Sequence, residues 1–188
     1  MKLSSILASV LTLALAACGP SEPALPRYGM VPEFRLTAHT GQGFSSAVLN
    51  GKVWVADFMF TNCPGPCPRM TTQMRTIQEA FAGRPEIRFV SFTVDPERDT
   101  PEVLAAYARR YKADLNTWHF LTGPVETLHQ LKRETFLLGD VNGANFEHST
   151  RFVLVDGDGR IRGFYPTADP SDIDKLVADL NKLIRESV

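Results

Sequence analysis

The feature that most constrains the fold is an apolar, β-rich run at residues 53–60, which ends in a loop with two cysteines. A strand that is apolar almost throughout is typical of a parallel sheet covered on both faces. Apolar residues then recur at helical spacing: Met70, Met74, Ile77 and Phe81. Gly83 and Pro85 end that pattern. A buried strand followed by a helix predicts a β-α unit with the cysteine loop at its turn.

The rest of the pattern extends this unit into an α/β domain. Further elements are predicted in this order: strand 87–94, helix 101–111, strand 120–121, helix 125–136, a hairpin of 152–155 with 161–165, and a last helix from Pro170. Asp169 can cap the last helix. Phe34, Leu36 and Phe44 predict a small N-terminal hairpin. This order predicts an α/β, thioredoxin-like fold with an N-terminal hairpin and an inserted segment.

The first residues have the layout of a secretory signal peptide, with a positive Lys2, an apolar run at 3–15 and small residues before Cys18. Leu15-Ala16-Ala17-Cys18 resembles a bacterial lipobox, which implies cleavage before Cys18 and a lipid on its sulfur. A transmembrane anchor would need about 18 to 20 apolar residues, more than this run has. We therefore expect a lipoprotein signal peptide at 1–17, a lipid-anchored linker at 18–27 and a folded domain at 28–188, held in a bacterial cell envelope outside the cytoplasm.

Charge and length limit the function classes. The chain carries 20 basic and 21 acidic residues, a net charge of −1, and has no lysine and arginine cluster. Nucleic acid is therefore not an expected partner. The roughly 160 residues after the linker fit one domain with a sizeable core.

The loop cysteines, Cys63 and Cys67, are the two thiols left after Cys18. Pro68 fits the first turn of a helix, so we expect Cys67 at the helix N-terminus, where the helix dipole favours thiolate. Thiolates are nucleophiles and soft ligands for Cu(I). An exposed loop site would let copper pass to another protein by ligand exchange. A structural disulfide is the simpler alternative, but closing so short a loop contributes only about 2 kcal/mol.

A third ligand would favour metal binding over redox chemistry. His148 lies just before the strand predicted at 152–155, which in this fold runs beside the cysteine loop, so His148 is the favoured candidate. His39, His119 and His129 are expected to be exposed histidines or buried ones that are already hydrogen-bonded. The same interpretation remains open for His148.

Several sequence blocks resemble the Sco/SenC family across essentially the whole domain. The blocks are Gly51-Lys52-Val53, Phe58 to Pro64, Cys67-Pro68, Val94 to Pro101, and His148-Ser149 ahead of a strand. The resemblance implies a thioredoxin-like fold and a role in assembling the copper A centre of cytochrome c oxidase. It also implies that Cys63, Cys67 and His148 bind copper, and that the partner is the copper-binding subunit of the oxidase.

The chain departs from the family pattern inside the cysteine loop. Gly65-Pro66 stands where the family usually carries an acidic residue after the first Cys-Pro, and Glu147 stands where many members have aspartate. The difference in the loop bears on copper affinity and partner choice, whereas Glu147 retains the negative charge. Asp95 and Glu147 are candidates for groups that support the ligands or face the partner. Asp99 could do the same or cap the helix predicted from Pro101.

The chief alternative is a membrane-tethered thiol-disulfide oxidoreductase that uses Cys63 and Cys67 to reduce the copper-site cysteines of its partner. Two features weigh against general disulfide exchange: the spacing is one residue longer than Cys-X-X-Cys, and no proline lies between Pro124 and Pro166, where thioredoxin-type reductants carry a cis-proline. A zinc site would usually need four protein ligands. The metallochaperone reading is therefore preferred, and enzymatic activity is left open.

Overall fold

The computed structural model describes residues 24–138 and 150–186. Seven strands lie within these residues: β1 Arg35–Ala38, β2 Gly43–Ser45, β3 Val53–Met59, β4 Ile87–Thr93, β5 Trp118–Thr122, β6 Arg151–Val155 and β7 Ile161–Pro166. They form one sheet in the order β2-β1-β5-β4-β3-β6-β7. Strands β3, β4 and β5 are parallel, while the pairings of β1 with β2 and β5 and of β6 with β3 and β7 are antiparallel.

Four α-helices connect or cover these strands: α1 Cys67–Ala80, α2 Pro101–Arg110, α3 Val125–Gln130 and α4 Pro170–Glu186. A 3-10 turn, Ser46–Leu49, joins β2 to β3, and α3 continues as a π-helical segment, Leu131–Thr135. None of the helices in the described ranges has the length and apolar character needed to cross a membrane.

The sheet separates two apolar clusters, because successive side chains of a strand point to opposite faces. Val55 and Met59 of β3 pack on the face covered by α1, α2 and α4. Trp54 and Phe58 pack on the other face, with the N-terminal hairpin and the segment that follows α3. Every residue of β3 is buried, as its apolar sequence predicts. The cysteine loop therefore follows directly after β3, a strand that is buried along its whole length.

The structure confirms the predicted fold class, the N-terminal hairpin of β1 and β2, and the cap of α4. Asp169 Oδ1 accepts a hydrogen bond of 2.9 Å from the Ser171 backbone amide at the start of that helix. The helix predicted over 125–136 is correct in position, although its second half has the wider π-helical turn.

One feature was not predicted from the sequence: residues 25–31, which include the last three residues of the expected linker, contact Arg162 and the start of β7. The Tyr28 amide donates to the Ile161 carbonyl at 2.9 Å, and the Val31 amide donates to the Gly159 carbonyl at 2.8 Å. The Arg162 guanidinium donates to the Pro26 carbonyl at 2.9 Å. The N-terminal arm, residues 25–31, is thereby held along the β7 edge of the sheet.

Candidate metal and redox site

The cysteine loop connects the end of β3 at Met59 to the start of α1 at Cys67. The Cys63 amide donates to the Phe60 carbonyl at 3.3 Å, and the Met70 amide donates to the Pro66 carbonyl at 3.0 Å. These bonds form a turn before the first cysteine and the first turn of the helix after it. Cys67 is the first helical residue, as predicted from Pro68. The fold therefore brings both thiols to the carboxyl end of the central strand.

Both cysteines are reduced and buried beneath an exposed loop. Cys63 is 7% exposed and Cys67 is 2% exposed, whereas Pro64 and Gly65 between them lie in solvent. The expectation of an openly exposed site is therefore wrong for the cysteines themselves. Access for a metal ion or another thiol depends on the loop that covers them.

Burial also reverses the expected effect on the Cys67 thiol. Loss of water and, to a smaller extent, the hydrogen bond with the Cys63 side chain raise the pKa of Cys67 to about 12, although a hydrogen bond with the Phe60 backbone acts in the opposite direction. The helix N-terminus was expected to favour thiolate at this position. Desolvation is the larger effect, so burial keeps Cys67 a thiol at neutral pH.

Asp99 ties the cysteine loop to the end of β4. Its carboxylate accepts hydrogen bonds from the Thr61 backbone amide at 3.1 Å, from Thr61 Oγ1 at 2.5 Å and from Thr93 Oγ1 at 2.5 Å. The suggested role of Asp99 as a helix cap is wrong, because Thr100 occupies the cap of α2 and accepts a hydrogen bond from the Val103 amide at 3.4 Å. Asp99 is 1% exposed and supports the loop from beneath.

Asp95 lies at the surface beside the loop. It forms an ion pair of 2.9 Å with Arg98. Asp95 and Phe60 both line a groove of about 320 Å³, together with Val94, Pro96, Glu97, Arg98, Val125 and His129. This position suits a group that faces a partner. Within the described residues Asp95 pairs with Arg98 and makes no hydrogen bond to either cysteine.

Asp57 is a buried carboxyl that the sequence motifs did not predict. It lies in β3 with no solvent exposure, and its Oδ1 accepts a hydrogen bond of 2.6 Å from Ser91 Oγ. Burial raises the pKa of Asp57 to about 7, although the bond from Ser91 lowers it. An acidic residue inside an otherwise apolar run was the available sequence signal, since such residues are rarely buried without a reason.

The histidines divide into described and undescribed positions. His39 Nδ1 accepts a hydrogen bond of 3.4 Å from the Phe120 amide, and burial lowers the pKa of His39. Burial, with a smaller effect of the His39 charge, lowers the pKa of His119 to about 4. His39 therefore fits the expectation of a satisfied histidine, while the half-buried His119 packs against the ring of Phe44. His148, Glu147 and Cys18 lie outside the described residues.

Within the described ranges, the candidate metal ligands that the fold brings together are the thiols of Cys63 and Cys67. No group of three or more histidine, cysteine, aspartate or glutamate side chains within residues 24–138 and 150–186 is arranged to hold a metal ion. Two thiols in one turn can form a disulfide or provide two ligands for a soft metal ion. A third ligand would have to come from elsewhere in the chain, from solvent or from a partner.

Comparisons with known proteins identify relatives of the whole domain. A family model described as SCO1/SenC matches residues 23–185. A protein of Stutzerimonas stutzeri, named as a proposed copper-binding protein, is 32% identical over 184 residues, covering 86% of this chain and 87% of that protein.

Two solved structures share the fold at similar identity. A SCO1/SenC family lipoprotein from Bacillus anthracis has a TM-score of 0.77 and 32% identity, covering 86% of this chain and 99% of that one. The protein BsSco, described with a disulfide switch and as a member of the Sco family of cytochrome c oxidase assembly proteins, has a TM-score of 0.72 and 31% identity, covering 82% and 93%.

Proposed function

Because the chain belongs to the SCO1/SenC family, we propose that it is a copper-binding metallochaperone that assists assembly of the copper A centre of cytochrome c oxidase. The observation that carries the proposal is the pair of reduced, buried thiols, Cys63 and Cys67, at the start of α1. Thiolates are soft ligands that suit Cu(I). The copper-binding name of the Stutzerimonas stutzeri relative and the oxidase-assembly role of the BsSco family support the same function.

His148 supplies the nitrogen ligand in this proposal. Val153 of β6 pairs with Ala56 of β3 in antiparallel orientation, so β6 begins at the sheet edge where β3 ends in the cysteine loop. Thr150, the first described residue before β6, accepts a hydrogen bond of 2.8 Å from the Thr167 amide. The fixed start of β6 supports a ligand from the residues just before it. Glu147, next to His148, and Asp95 then act as supporting or partner-facing charges.

Copper binding must displace the proton of the buried Cys67 thiol. A metal ion competes with that proton for the same sulfur, so copper affinity rises with pH as long as Cys67 is a thiol in the free protein. A buried Cys67 thiolate without a counter-charge is unfavourable, and a bound copper ion supplies the positive charge that stabilises it. The closed site therefore favours a bound soft cation over a free thiolate.

The proposed location is the outer side of a bacterial plasma membrane or another envelope membrane. In this proposal residues 1–17 are removed as a signal peptide, lipidated Cys18 anchors the chain, residues 18–27 form the linker and residues 28–188 the domain. A family member from Bacillus anthracis is named a lipoprotein, which supports the anchor. The partner is the copper-binding subunit of the oxidase, which would approach the loop between β3 and α1.

Copper titration of the full chain in detergent tests the function. A Cys18→Ser background leaves Cys63 and Cys67 as the remaining thiols. Under reducing, anaerobic conditions, this protein should bind one equivalent of Cu(I), with sulfur and nitrogen scatterers in X-ray absorption. Cys63→Ser or Cys67→Ser should abolish tight binding, because a neutral hydroxyl cannot replace a thiolate.

A matched control is Ser91→Ala, which removes a hydroxyl from the same core but no proposed ligand. It should still bind one equivalent. Near-native binding by either cysteine variant would place the copper site elsewhere and overturn the proposal.

The second function is thiol-disulfide exchange, favoured by the adjacency of the two reduced thiols and by the disulfide switch described for BsSco. In this case the pair would reduce copper-site cysteines of the partner. Insulin reduction with dithiothreitol separates the two functions. The chaperone should turn over slowly while its own disulfide forms readily, whereas thioredoxin-like rates would favour the oxidoreductase.

A further inference from the structure

The N-terminal arm, residues 25–31, carries exposed apolar side chains. Five large apolar side chains are exposed in the described ranges, and two of them, Tyr28 and Met30, are on this arm, 52% and 53% exposed. The Tyr28 ring contacts the half-buried ring of Phe164 edge-on, with centroids 5.1 Å apart. Met30 forms an antiparallel bridge with Arg160, so these two side chains are neighbours on one face. We call these four residues, Tyr28, Met30, Arg160 and Phe164, the edge patch.

The arm also covers the backbone of β7 where the edge patch lies. The Ile161 amide donates to the Gly29 carbonyl at 2.9 Å, and the Val31 amide donates to the Gly159 carbonyl at 2.8 Å. These bonds occupy backbone groups that an open edge strand offers to another chain. A second copy of the protein therefore cannot pair with β7 along this stretch. Whatever contacts the edge patch must do so through side chains.

The charges around the edge patch balance. Arg27 is exposed on the arm, and Arg160 belongs to the patch. Glu33 and Asp158 are exposed, and both line a pocket of about 220 Å³ together with Met30. Two cations and two anions leave no net charge, so we expect no long-range attraction to a charged partner. Aromatic rings next to arginines are typical of protein surfaces at a membrane–water interface.

The length of chain before the arm indicates what covers the edge patch. The seven residues 18–24 span at most about 25 Å when fully extended, so a lipid on Cys18 keeps Leu25 within that distance of the bilayer. Leu25 is fixed to the domain, because its carbonyl accepts a hydrogen bond of 3.1 Å from the Arg162 guanidinium. A short tether raises the effective concentration of lipid at the patch, so that even weak contacts are occupied. Chain length and side-chain chemistry therefore favour the same occupant, a lipid surface.

We propose, on the basis of the lipid anchor in the function above, that the edge patch rests on the bilayer surface, with Tyr28 and Met30 in the headgroup region. Only β6 separates β7 from β3 in the sheet. When the sheet stands on this edge, the end of β3 lies only about 10 Å further from the lipid than β7, because neighbouring strands are about 4.8 Å apart. This orientation holds the cysteine loop close to the membrane, within reach of a membrane-embedded partner.

Fluorescence quenching by brominated lipid tests the contact. The full chain is produced in a bacterium that processes lipoproteins and is placed in vesicles of phosphatidylcholine and phosphatidylglycerol with bromine near the headgroups. Tyr28→Trp keeps an aromatic ring against Phe164 and reports on the patch. Trp54 and Trp118 are buried in the core, so the parent protein gives the background emission.

The matched control is Val103→Trp, at an exposed position of α2. This helix packs against β5, which is separated from β7 by β4, β3 and β6. Fractional quenching should be at least about twofold greater for Tyr28→Trp than for Val103→Trp, because a tryptophan at the interface lies near the bromine atoms. The difference should persist at about 0.5 M sodium chloride, since the contact is apolar.

Adding Met30→Glu to Tyr28→Trp should reduce the quenching to the level of Val103→Trp, because a carboxylate is unfavourable in the apolar contact. Equal quenching at positions 28 and 103 in protein that floats with the vesicles would overturn the proposal. A blue-shifted emission at position 28 without bromine quenching would also overturn it, because a second copy or another protein would then cover the patch. Protein that does not float with the vesicles would overturn the lipid anchor and this proposal with it. Copper is absent from the experiment, so none of these outcomes bears on the proposed copper site.

Discussion

Burial controls the protonation of the side chains around the cysteine loop. Cys67, Asp57 and Tyr107 all lie in the cluster beneath α1 or border it, and burial raises the pKa of each. The helix N-terminus at Cys67 offers only a partial positive charge, which desolvation outweighs. Burial therefore keeps Cys67 and Tyr107 protonated at neutral pH and leaves Asp57 with a poorly solvated carboxyl.

The Asp57→Asn variant should become increasingly more stable than the parent protein as pH rises. An ordinary aspartate loses its proton near 3.8, but burial keeps the pKa of Asp57 near 7. Between these values the unfolded chain is ionised while the folded protein holds the proton, so the free energy of unfolding falls with rising pH and levels off above about 7. The asparagine variant does not lose this stability, so its free energy of unfolding at neutral pH should exceed that of the parent by on the order of a few kcal/mol.

Urea unfolding from about pH 4 to pH 8 measures this difference. Asp174→Asn, at an exposed site, should follow the parent curve. Parallel curves for the parent and Asp57→Asn would contradict the raised pKa.

His148→Ala should separate metal binding from redox chemistry. The variant loses the proposed nitrogen ligand and keeps both thiols, so Cu(II) binding should be lost or its spectrum strongly altered, with weak Cu(I) binding retained. Disulfide formation should continue. Electron paramagnetic resonance checks the Cu(II) site, and His129→Ala provides the control. A native Cu(II) spectrum in the alanine variant, with normal oxidase assembly, would remove His148 from the site.

At the scale of elements, the loop between β3 and α1 is positioned by contacts that lie far apart in sequence. Apolar periodicity was sufficient to predict β3, α1 and the cysteine turn, because those patterns are local. The hydrogen bonds from Thr61 and Thr93 to Asp99 were not predictable, since they depend on the parallel pairing that places the end of β4 beside the loop. Asp99 therefore resembled a helix cap in sequence and is a loop support in the structure.

Asp99→Ala should destabilise the protein and loosen the copper site. The substitution leaves the Thr61 amide and the Thr93 hydroxyl without their acceptor, at a cost of about 2 to 4 kcal/mol. Because Thr61 precedes Cys63 by two positions, Cu(I) affinity in a chelator competition should fall several-fold.

Thr100→Ala is the adjacent control. It removes the cap of α2, which costs about 1 kcal/mol, but does not touch the loop. Its copper affinity should match that of the parent. Equal copper affinity in Asp99→Ala would mean that the loop does not depend on this support.

At the scale of the whole molecule, the N-terminal arm and the β6–β7 hairpin form a single unit. Arg162 is buried, pairs with Asp156 at 2.9 Å and donates to the carbonyls of Pro26 and Leu25. Asp156 Oδ1 also accepts from the Arg160 amide at 2.9 Å, so the ion pair is well satisfied. Sequence patterns could not predict this arrangement, because Arg162 and Pro26 are separated by 136 positions.

Arg162→Met should release the arm and lower stability. It keeps much of the side-chain volume but leaves the Asp156 carboxylate without its buried counter-charge, which typically costs about 3 to 5 kcal/mol. The backbone around Arg27 should then become accessible, so trypsin should cleave after Arg27 faster than in the parent. Arg69→Met, at an exposed position of α1, is the control and should change neither the cleavage rate nor the thermal midpoint.

Adding Asp156→Asn to Arg162→Met should recover part of the stability but not the protection of Arg27, because the bonds to the arm come from the guanidinium. Unchanged cleavage in Arg162→Met would mean that the backbone pairing of residues 28–31 with β7 holds the arm without Arg162.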